Sequence, residues 1–276
     1  MAEPGDDEWL TACRRAVAAH RAIFDSHKGI EERTRYEGVG EGGDQTLVID
    51  RLCEDAIFAE LEKLHGSGYE FTAVAEERGT VHFGSPDSRL SVIIDPIDGS
   101  LNARRTVPLH SVSIAVADGD SMADVKLGYV YEFGAGEEFV ARRGSGAKLD
   151  GHPISAPEGD GLEVVALEAS KPERVVKVAE ALHDRAYRLR APGSIAVCLA
   201  YVAAGRFDGM LTTRGCRSVD AAAAQLIARE AGAAVVFAGY ELGMASLDLS
   251  ARYHVASART SADLATLREA QEALDG

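Results

Sequence analysis

Two aspartates three positions apart follow an apolar segment near the middle of the chain, in the run Asp95-Pro96-Ile97-Asp98-Gly99-Ser100. Carboxylates at the end of a buried strand cost free energy unless something neutralises them. Mg²⁺ prefers carboxylate oxygens, and backbone amides at a glycine turn suit a phosphate. The run therefore predicts a turn where Asp95 and Asp98 hold a metal while the amides of Gly99 and Ser100 bind a phosphate. The alternative is a surface turn in which Asp98 caps a helix.

Further acids follow or open apolar segments elsewhere in the chain. Glu76 and Glu77 come directly after the apolar segment 71–75, and Asp220 opens an alanine-rich segment. Taken singly, the glutamate pair is typical of a solvated loop and Asp220 of an ordinary helix N-cap. Their meaning depends on whether the fold brings them to the Asp95–Ser100 turn.

The spacing of apolar residues predicts the elements that carry these acids. A helix is predicted over 8–27. After a glycine-rich loop, Asp44 is well placed to cap a second helix that runs to about His65, with Asp50 in its second turn. Short segments rich in Val, Ile, Tyr and Phe then predict strands at 71–75, 90–95, 111–117, 126–131 and 138–141.

The second half of the sequence alternates between the two periodicities. Strands are predicted at 164–167, 187–189, 208–212, 233–237 and 253–256, and helices at 172–183, 193–204, 220–231 and 261–274. The polar stretch 153–161 predicts a boundary. We expect residues 1–155 to form an α+β half with most of the metal ligands, and residues 156–276 an α/β half that contributes Asp220 and substrate contacts.

Composition narrows the class of protein. The 276 residues carry a formal net charge of −15, which argues against binding to nucleic acid or to anionic membranes. A phosphorylated substrate is not excluded, because bound divalent cations reverse the local sign. The four cysteines have no C-x-x-C spacing, which favours reduced thiols over a zinc site or disulfides. Without a signal-like start or an apolar run of ~20 residues, the sequence predicts a cytoplasmic protein.

Taken together, the acidic motifs resemble those of the inositol monophosphatase and fructose-1,6-bisphosphatase superfamily. Its central motif is D-P-[IL]-D-G-[TS], its early motif spaces two aspartates six positions apart, and its late motif is an aspartate with Ala-Ala followed by Glu-Ala-Gly. The matching segments are Asp44 and Asp50, Glu76-Glu77, Asp95–Ser100, Gly193-Ser194, Asp220-Ala221-Ala222 and Glu230-Ala231-Gly232. The segments Leu101-Asn102-Ala103 and Arg214-Gly215-x-Arg217 look like the archaeal-type branch, whose members often accept both fructose-1,6-bisphosphate and inositol-1-phosphate.

This resemblance implies a layered αβαβα sandwich of the sugar phosphatase type and assigns roles within the site. Two or three Mg²⁺ ions would be held by Glu76, Asp95, the Ile97 carbonyl, Asp98 and Asp220. Asp50 and the Ser100 hydroxyl would orient and deprotonate the attacking water, with Glu76 also catalytic. Glu77 and Asp44 would support the ligands without binding the metal.

The resemblance also suggests where the substrate binds. Gly193 and Ser194 would contact it, and Arg214 or Arg217 would meet a sugar hydroxyl or a second phosphate. An arginine paired with a surface acid is the alternative for each. We expect a homodimer that hydrolyses fructose-1,6-bisphosphate, inositol-1-phosphate or both. The alternatives are a 3′-phosphoadenosine nucleotide phosphatase, a catalytically inactive regulatory or RNA-polymerase-associated member, and a calcium-binding structural module.

Overall fold

The computed structural model describes residues 3–39, 41, 45–157, 159, 161–169 and 171–274. The helices are α1 (Asp6–Ser26), α2 (Ile30–Arg33), α3 (Val48–Gly66), α4 (Ser100–Arg104), α5 (Pro172–Ala181), α6 (Ile195–Ala203), α7 (Ser218–Glu230) and α8 (Ser261–Glu272). Within these ranges, no helix is both long and apolar enough to cross a membrane. The four cysteines are buried and unbridged, as the sequence predicts.

The first half of the chain builds an eight-stranded sheet in the order β10-β9-β8-β7-β6-β5-β3-β4. Strands β3 and β5 run parallel and the other neighbouring pairs are antiparallel. The strands are β3 (Phe71–Ala75), β4 (Gly79–Phe83), β5 (Ser91–Asp98), β6 (Ser111–Ala117), β7 (Val125–Glu132), β8 (Glu137–Arg142), β9 (Ala147–Leu149) and β10 (His152–Ile154). A small hairpin of β1 (Tyr36–Val39) and β2 (Gln45–Leu47) precedes them.

A five-stranded sheet in the order β12-β11-β13-β17-β15 follows. Its strands are β11 (Leu162–Glu168), β12 (Ala186–Arg190), β13 (Gly209–Thr212), β15 (Ala234–Phe237) and β17 (Val255–Ala258), and a separate pair joins β14 (Cys216–Arg217) to β16 (Arg252–Tyr253). The chain thus passes from one sheet to the other between Ile154 and Leu162. A division into two domains within that stretch remains a prediction, because α6 and α7 from the second half pack on the first sheet as well.

Successive side chains of the first sheet point to opposite faces, and each face packs into a separate hydrophobic core, which explains the layering. Ile94 of β5 packs with Trp9 of α1 and Ile57 of α3. The adjacent Ile93 points to the other face, toward α6 and α7. The second sheet covers the far side of α6 and α7, and α5 and α8 cover its outer face. The layers are therefore helix, sheet, helix, sheet, helix, which confirms the predicted αβαβα sandwich.

Helix α7 lies directly on strand β7 because Gly128 has no side chain. A Cβ at Gly128 would come within 2.5 Å of the carbonyl oxygen of Ala223. Glycine in a strand often marks such a close approach of another backbone. Asp220 lies one turn before Ala223 on the same helix. Gly128 thereby sets the distance between Asp220 and the sheet.

Two predicted boundaries that bear on the site were wrong. The chain forms β2 before the second long helix, because residues 45–47 pair with β1, and α3 starts only at Val48. Asp50 is consequently in its first turn rather than its second, while Asp44 lies outside the described residues. Strand β5 continues past Asp95, since its pairing with β6 resumes at Asp98 after an irregularity.

Candidate active site

Strand β5 ends in a tight turn that carries the two predicted metal ligands of the central motif. Asp95 and Asp98 are only 2% and 6% exposed. Gly99 has a φ of +91°, in the left-handed region, and α4 begins at the next residue. A Cβ at Gly99 would also lie 3.0 Å from the carbonyl oxygen of Gly193. Backbone conformation and space both require glycine here.

Hydrogen bonds within the turn fix its shape. The Ile97 amide donates to Asp95 Oδ1 at 3.0 Å, and the Ser100 hydroxyl donates to the Ile97 carbonyl at 2.8 Å. The Ile97 carbonyl, which the resemblance assigns to the metal, therefore accepts a hydrogen bond from the Ser100 hydroxyl. The resemblance assigns this hydroxyl to the orientation of the attacking water.

The fold brings together acids that are far apart in the sequence. Glu76 follows β3, which lies beside β5, and Asp220 lies in the first turn of α7. Burial raises the pKa of Glu76 to about 8, Arg217 opposes the shift, and the charge of Asp220 adds to it. Burial, followed by the charges of Glu76, Asp98 and Asp220, raises the pKa of Asp95 well above its usual range. The cluster therefore carries more negative charge than this buried region can hold ionised without cations.

Asp98 is held by the start of helix α6. Its Oδ2 accepts hydrogen bonds from the Ser194 hydroxyl and from the Ala196 amide at 2.8 Å, and its Oδ1 accepts one from the Ile195 amide at 3.1 Å. Burial raises the pKa of Asp98 to about 7 even though the Ser194 hydrogen bond lowers it. The alternative that Asp98 caps a helix is thus partly right, but the helix is distant in sequence and the carboxylate is buried.

Arg217 supplies the countercharge at the other side of the cluster. Its guanidinium pairs with Glu76, and both side chains are mostly buried, 13% and 16% exposed. Its backbone amide donates to Asp220 Oδ2 at 2.7 Å. Arg217 was predicted to contact the substrate, whereas its side chain here contacts a predicted metal ligand.

The chemistry of this cluster suits a hard divalent cation. Glu76, Asp95, Asp98 and Asp220 offer only oxygen. Burial and the charges of neighbouring carboxylates raise the pKa values of Glu76, Asp95 and Asp98, so a bound cation would relieve the cost of ionising them. In the described ranges, no three His, Cys, Asp or Glu side chains are oriented as a ready set of ligands. Glu76 contacts Arg217, and Asp98 accepts hydrogen bonds from the start of α6, so a metal would share these carboxylates with their present partners or displace them.

Helix α3 adds two buried acids from one of its faces. Asp50 is 4% exposed and its Oδ1 has no hydrogen-bond partner among the described residues. Burial and then the charge of Glu77 raise its pKa to about 7, while the backbone of Leu47 and the Ser100 hydroxyl act in the opposite direction. One turn later, Glu54 Oε2 accepts the Glu77 amide at 2.9 Å.

Glu54 was missed by the sequence analysis. It lies four residues after Asp50, a spacing that places both on one side of a helix. That signal becomes usable only when the start of α3 is known. Glu54 holds the turn after β3, and the same turn carries Glu76.

A cleft of about 290 Å³ opens beside the carboxylates, and three arginines are among the residues that line it. Arg214, Arg217 and Arg252 line it together with Asp220 and the first residue of α6. Arg214 and Arg252 are exposed. The backbone of Arg252 lies opposite that of Arg217 where β14 and β16 pair. The predicted Arg214 and Arg217 thus share one cleft, and Arg252 is an addition that no local motif identifies.

The loop before α6 is fastened from two sides. Asn102 of α4 donates to the carbonyl oxygens of Leu109 at 2.7 Å and Pro192 at 2.6 Å. Buried Glu168, at the end of β11, accepts the Gly193 amide at 2.9 Å. Gly193 and Ser194, predicted to contact substrate, thus position the N-terminus of α6 and Asp98 in this structure.

The fold and the site together define a layered α/β protein with buried carboxylates around a glycine turn and an arginine-lined cleft beside them. A family model for the inositol monophosphatase family matches residues 6–274. The chain belongs to the inositol monophosphatase family.

Individual relatives agree with this assignment. A fructose-1,6-bisphosphatase/inositol-1-monophosphatase of Methanothermobacter thermautotrophicus is 32% identical over 81% of this chain and 82% of its own length. The Nus factor SuhB of Vibrio cholerae is 31% identical over 80% of this chain and 83% of its own. A solved inositol monophosphatase–fructose 1,6-bisphosphatase superposes with a TM-score of 0.79, covering 95% of this chain and 99% of that one, at 24% identity. The last comparison supports the fold alone.

Proposed function

We propose that this chain is a Mg²⁺-dependent phosphomonoesterase acting on a sugar or inositol phosphate. The observation that carries the proposal is the convergence of Glu76, Asp95, Asp98 and Asp220 around a glycine turn at the end of β5. Family membership and the names of the archaeal relatives support a phosphatase. The all-carboxylate donor set favours Mg²⁺, in two or three ions, over a transition metal.

The residues of the site divide the work of hydrolysis. Bound to such carboxylates, Mg²⁺ supplies charge neutralisation of the phosphate and a lowered pKa of a coordinated water. The amides of Gly99 and Ser100 bind phosphate oxygens. Asp50, whose Oδ1 lacks a partner in the described ranges, accepts a proton from the attacking water. The Ser100 hydroxyl orients that water once it turns from the Ile97 carbonyl.

The cleft beside the carboxylates favours a substrate with a second anionic group. Arg214, Arg217 and Arg252 give it a positive lining, and guanidinium groups bind phosphate in a bidentate manner. Inositol-1-phosphate offers only hydroxyl groups in that direction. We therefore expect fructose-1,6-bisphosphate to be the better of the two substrates.

A panel assay tests the function. Phosphate release is measured with and without Mg²⁺ on fructose-1,6-bisphosphate, inositol-1-phosphate and 3′-phosphoadenosine 5′-phosphate, with Asp95→Asn as the matched control. We expect Mg²⁺-dependent release from the first two, none from the variant, and the highest kcat/KM for the bisphosphate. Release from the nucleotide alone would replace this substrate class with the 3′-phosphoadenosine alternative. Release that persists in the variant would refute the site.

The Nus factor SuhB relative raises the alternative of a regulatory protein without catalysis. Loss of a metal carboxylate would favour that alternative, whereas the sequence retains Asp50, Glu76, Asp95, Asp98 and Asp220. Catalysis therefore remains the proposed function. The expected homodimer and cytoplasmic location are proposed with it.

A further inference from the structure

Arg217 and a metal ion would compete for the same carboxylate. The Arg217 guanidinium contacts Glu76 Oε1, and the proposed function assigns the Glu76 side chain to Mg²⁺. Mg²⁺ binds oxygen at about 2.0–2.1 Å, so even a metal on the other oxygen of Glu76 would lie close to the guanidinium. Two cations that share one buried negative charge repel each other, so metal binding weakens the pair between Arg217 and Glu76.

The Arg217 side chain can change partner without a change in the fold. Its backbone is fixed by the β14–β16 ladder and by the hydrogen bond from its amide to Asp220. Arg217 also lines the arginine cleft with Arg214 and Arg252. A guanidinium that leaves Glu76 consequently stays in the cleft, where it adds a positive charge.

We propose that Arg217 is an exchangeable counter-cation: it neutralises Glu76 when the metal is absent, and when the metal binds it turns to an anionic group of the substrate. The inference rests on the proposed function, because it takes Glu76 as a metal ligand. Metal binding then has to break an ion pair, and it prepares the cleft for the substrate in the same step. Metal and anionic substrate therefore bind cooperatively, with Arg217 as the coupling residue.

The test measures Mn²⁺ affinity by electron paramagnetic resonance, without substrate, for wild type, Arg217→Gln, Arg217→Lys, Arg214→Gln and Arg252→Gln. We expect Arg217→Gln to bind Mn²⁺ roughly 5-fold to 150-fold more tightly than wild type, the range of a typical coupling free energy. Arg217→Lys, which pairs less well with Glu76, should lie between them and covers the case in which the Gln variant does not fold. The KM for fructose-1,6-bisphosphate should rise in both Arg217 variants.

The outcomes separate this inference from the proposed function. Mn²⁺ binding by the Arg217 variants that is equal to or weaker than that of wild type would overturn the proposal that Arg217 is the counter-cation of Glu76. So would an equal gain in Arg214→Gln and Arg252→Gln, which would reduce the effect to the general charge of the cleft. An unchanged KM would overturn the transfer to substrate. Absence of Mn²⁺ binding in wild type would instead refute the proposed metal site.

Discussion

The carboxylate of Asp98 accepts a hydrogen bond from the backbone amide of Ala196 at 2.8 Å, although the two residues are 98 positions apart. Asp98 ends strand β5 of the first sheet, and Ala196 lies in the first turn of α6. The first amides of a helix point outward without intrahelical partners and favour a negative charge. Asp98 thus serves both the proposed metal site and the packing of α6.

This double role predicts that Asp98→Asn damages more than catalysis. We expect loss of Mg²⁺-dependent hydrolysis together with a fall of about 2 kcal/mol in the free energy of unfolding, because asparagine has one acceptor oxygen for the four donors that reach Asp98. Activity and urea unfolding measured on one preparation check both effects. A variant that loses activity at unchanged stability would contradict the capping role.

Asp95→Asn is the matched comparison and should behave differently. Burial and three neighbouring carboxylates raise the pKa of Asp95 well above its usual range, so its negative charge is costly in the metal-free protein and asparagine removes that cost. We expect hydrolysis and the Mg²⁺-induced rise in Tm to disappear, while the metal-free protein at pH 8 stays as stable as wild type or becomes more stable. A large loss of metal-free stability would show that the charge of Asp95 supports the fold.

The metal-free protein should lose stability as the pH rises from 6.5 to 8. Glu76 has a folded pKa of about 8, and Asp50, Glu54 and Asp98 have folded pKa values of about 7, against ordinary values of 4.5 for glutamate and 3.8 for aspartate. A carboxyl whose pKa is raised on folding stabilises the fold while protonated, and this stability is lost as the pH rises through the folded pKa. We expect a decrease of about 4 kcal/mol in EDTA, since each pH unit of difference is worth ~1.4 kcal/mol.

Mg²⁺ should reverse that slope, because the metal binds the deprotonated carboxylates. Urea unfolding at pH 6.5, 7.2 and 8, with EDTA or with Mg²⁺, measures it. Burial lowers the pKa values of His20 and His110 to about 4. These two histidines destabilise the fold only as the pH falls below about 6.5, so they do not contribute between pH 6.5 and 8. A metal-free stability that is flat or rises with pH would contradict the prediction.

Asp50→Asn should lower kcat by about 10²–10⁴-fold, the usual contribution of a positioned general base. Mn²⁺ affinity should change little, because Asp50 is not among the proposed ligands. Glu54→Gln is the control on the same face of α3, since glutamine keeps an acceptor for the Glu77 amide. Its kcat should fall much less, and equal losses would mean that Asp50 acts only by supporting the turn after β3.

The arginine cleft predicts substrate selectivity. Arg214→Gln and Arg252→Gln should each raise KM for fructose-1,6-bisphosphate about tenfold, a loss of roughly 1.4 kcal/mol. KM for inositol-1-phosphate should change by less than a factor of two. Arg188→Gln is the matched control, because Arg188 is exposed and its guanidinium lies over its neighbour Tyr187. Equal effects on KM for both substrates would show that the cleft does not determine substrate selectivity.

Much of the fold could be predicted because its signals are local. Apolar periodicity identified α1, most of the strands and the alanine-rich α7, and the acidic motifs marked the ends of β3 and β5. Strand β4 was missed, since its five residues include Gly79 and His82 and only its pairing with β3 makes it a strand. The start of α3 was wrong for a similar reason, because pairing with β1 overrides the helical preference of residues 45–47.

The chemistry of the site was less accessible from the sequence. The pairing of Arg217 with Glu76 joins residues 141 positions apart, and the hydrogen bond from Ala196 to Asp98 joins residues 98 positions apart. No local pattern encodes either contact, because side-chain partners depend on how layers stack. Arg252 was missed for the same reason, since it reaches the cleft through the β14–β16 ladder.

The bare backbone of Gly128 has a consequence for how variants of this protein are interpreted. A single methyl group there would push against the Ala223 carbonyl and lift α7, so Asp220 would move with the helix. Such a variant would be recorded as a catalytic defect, although every reacting group would be intact. In this molecule, the absence of a side chain at one strand position is as necessary to the active site as the carboxylates whose alignment depends on it.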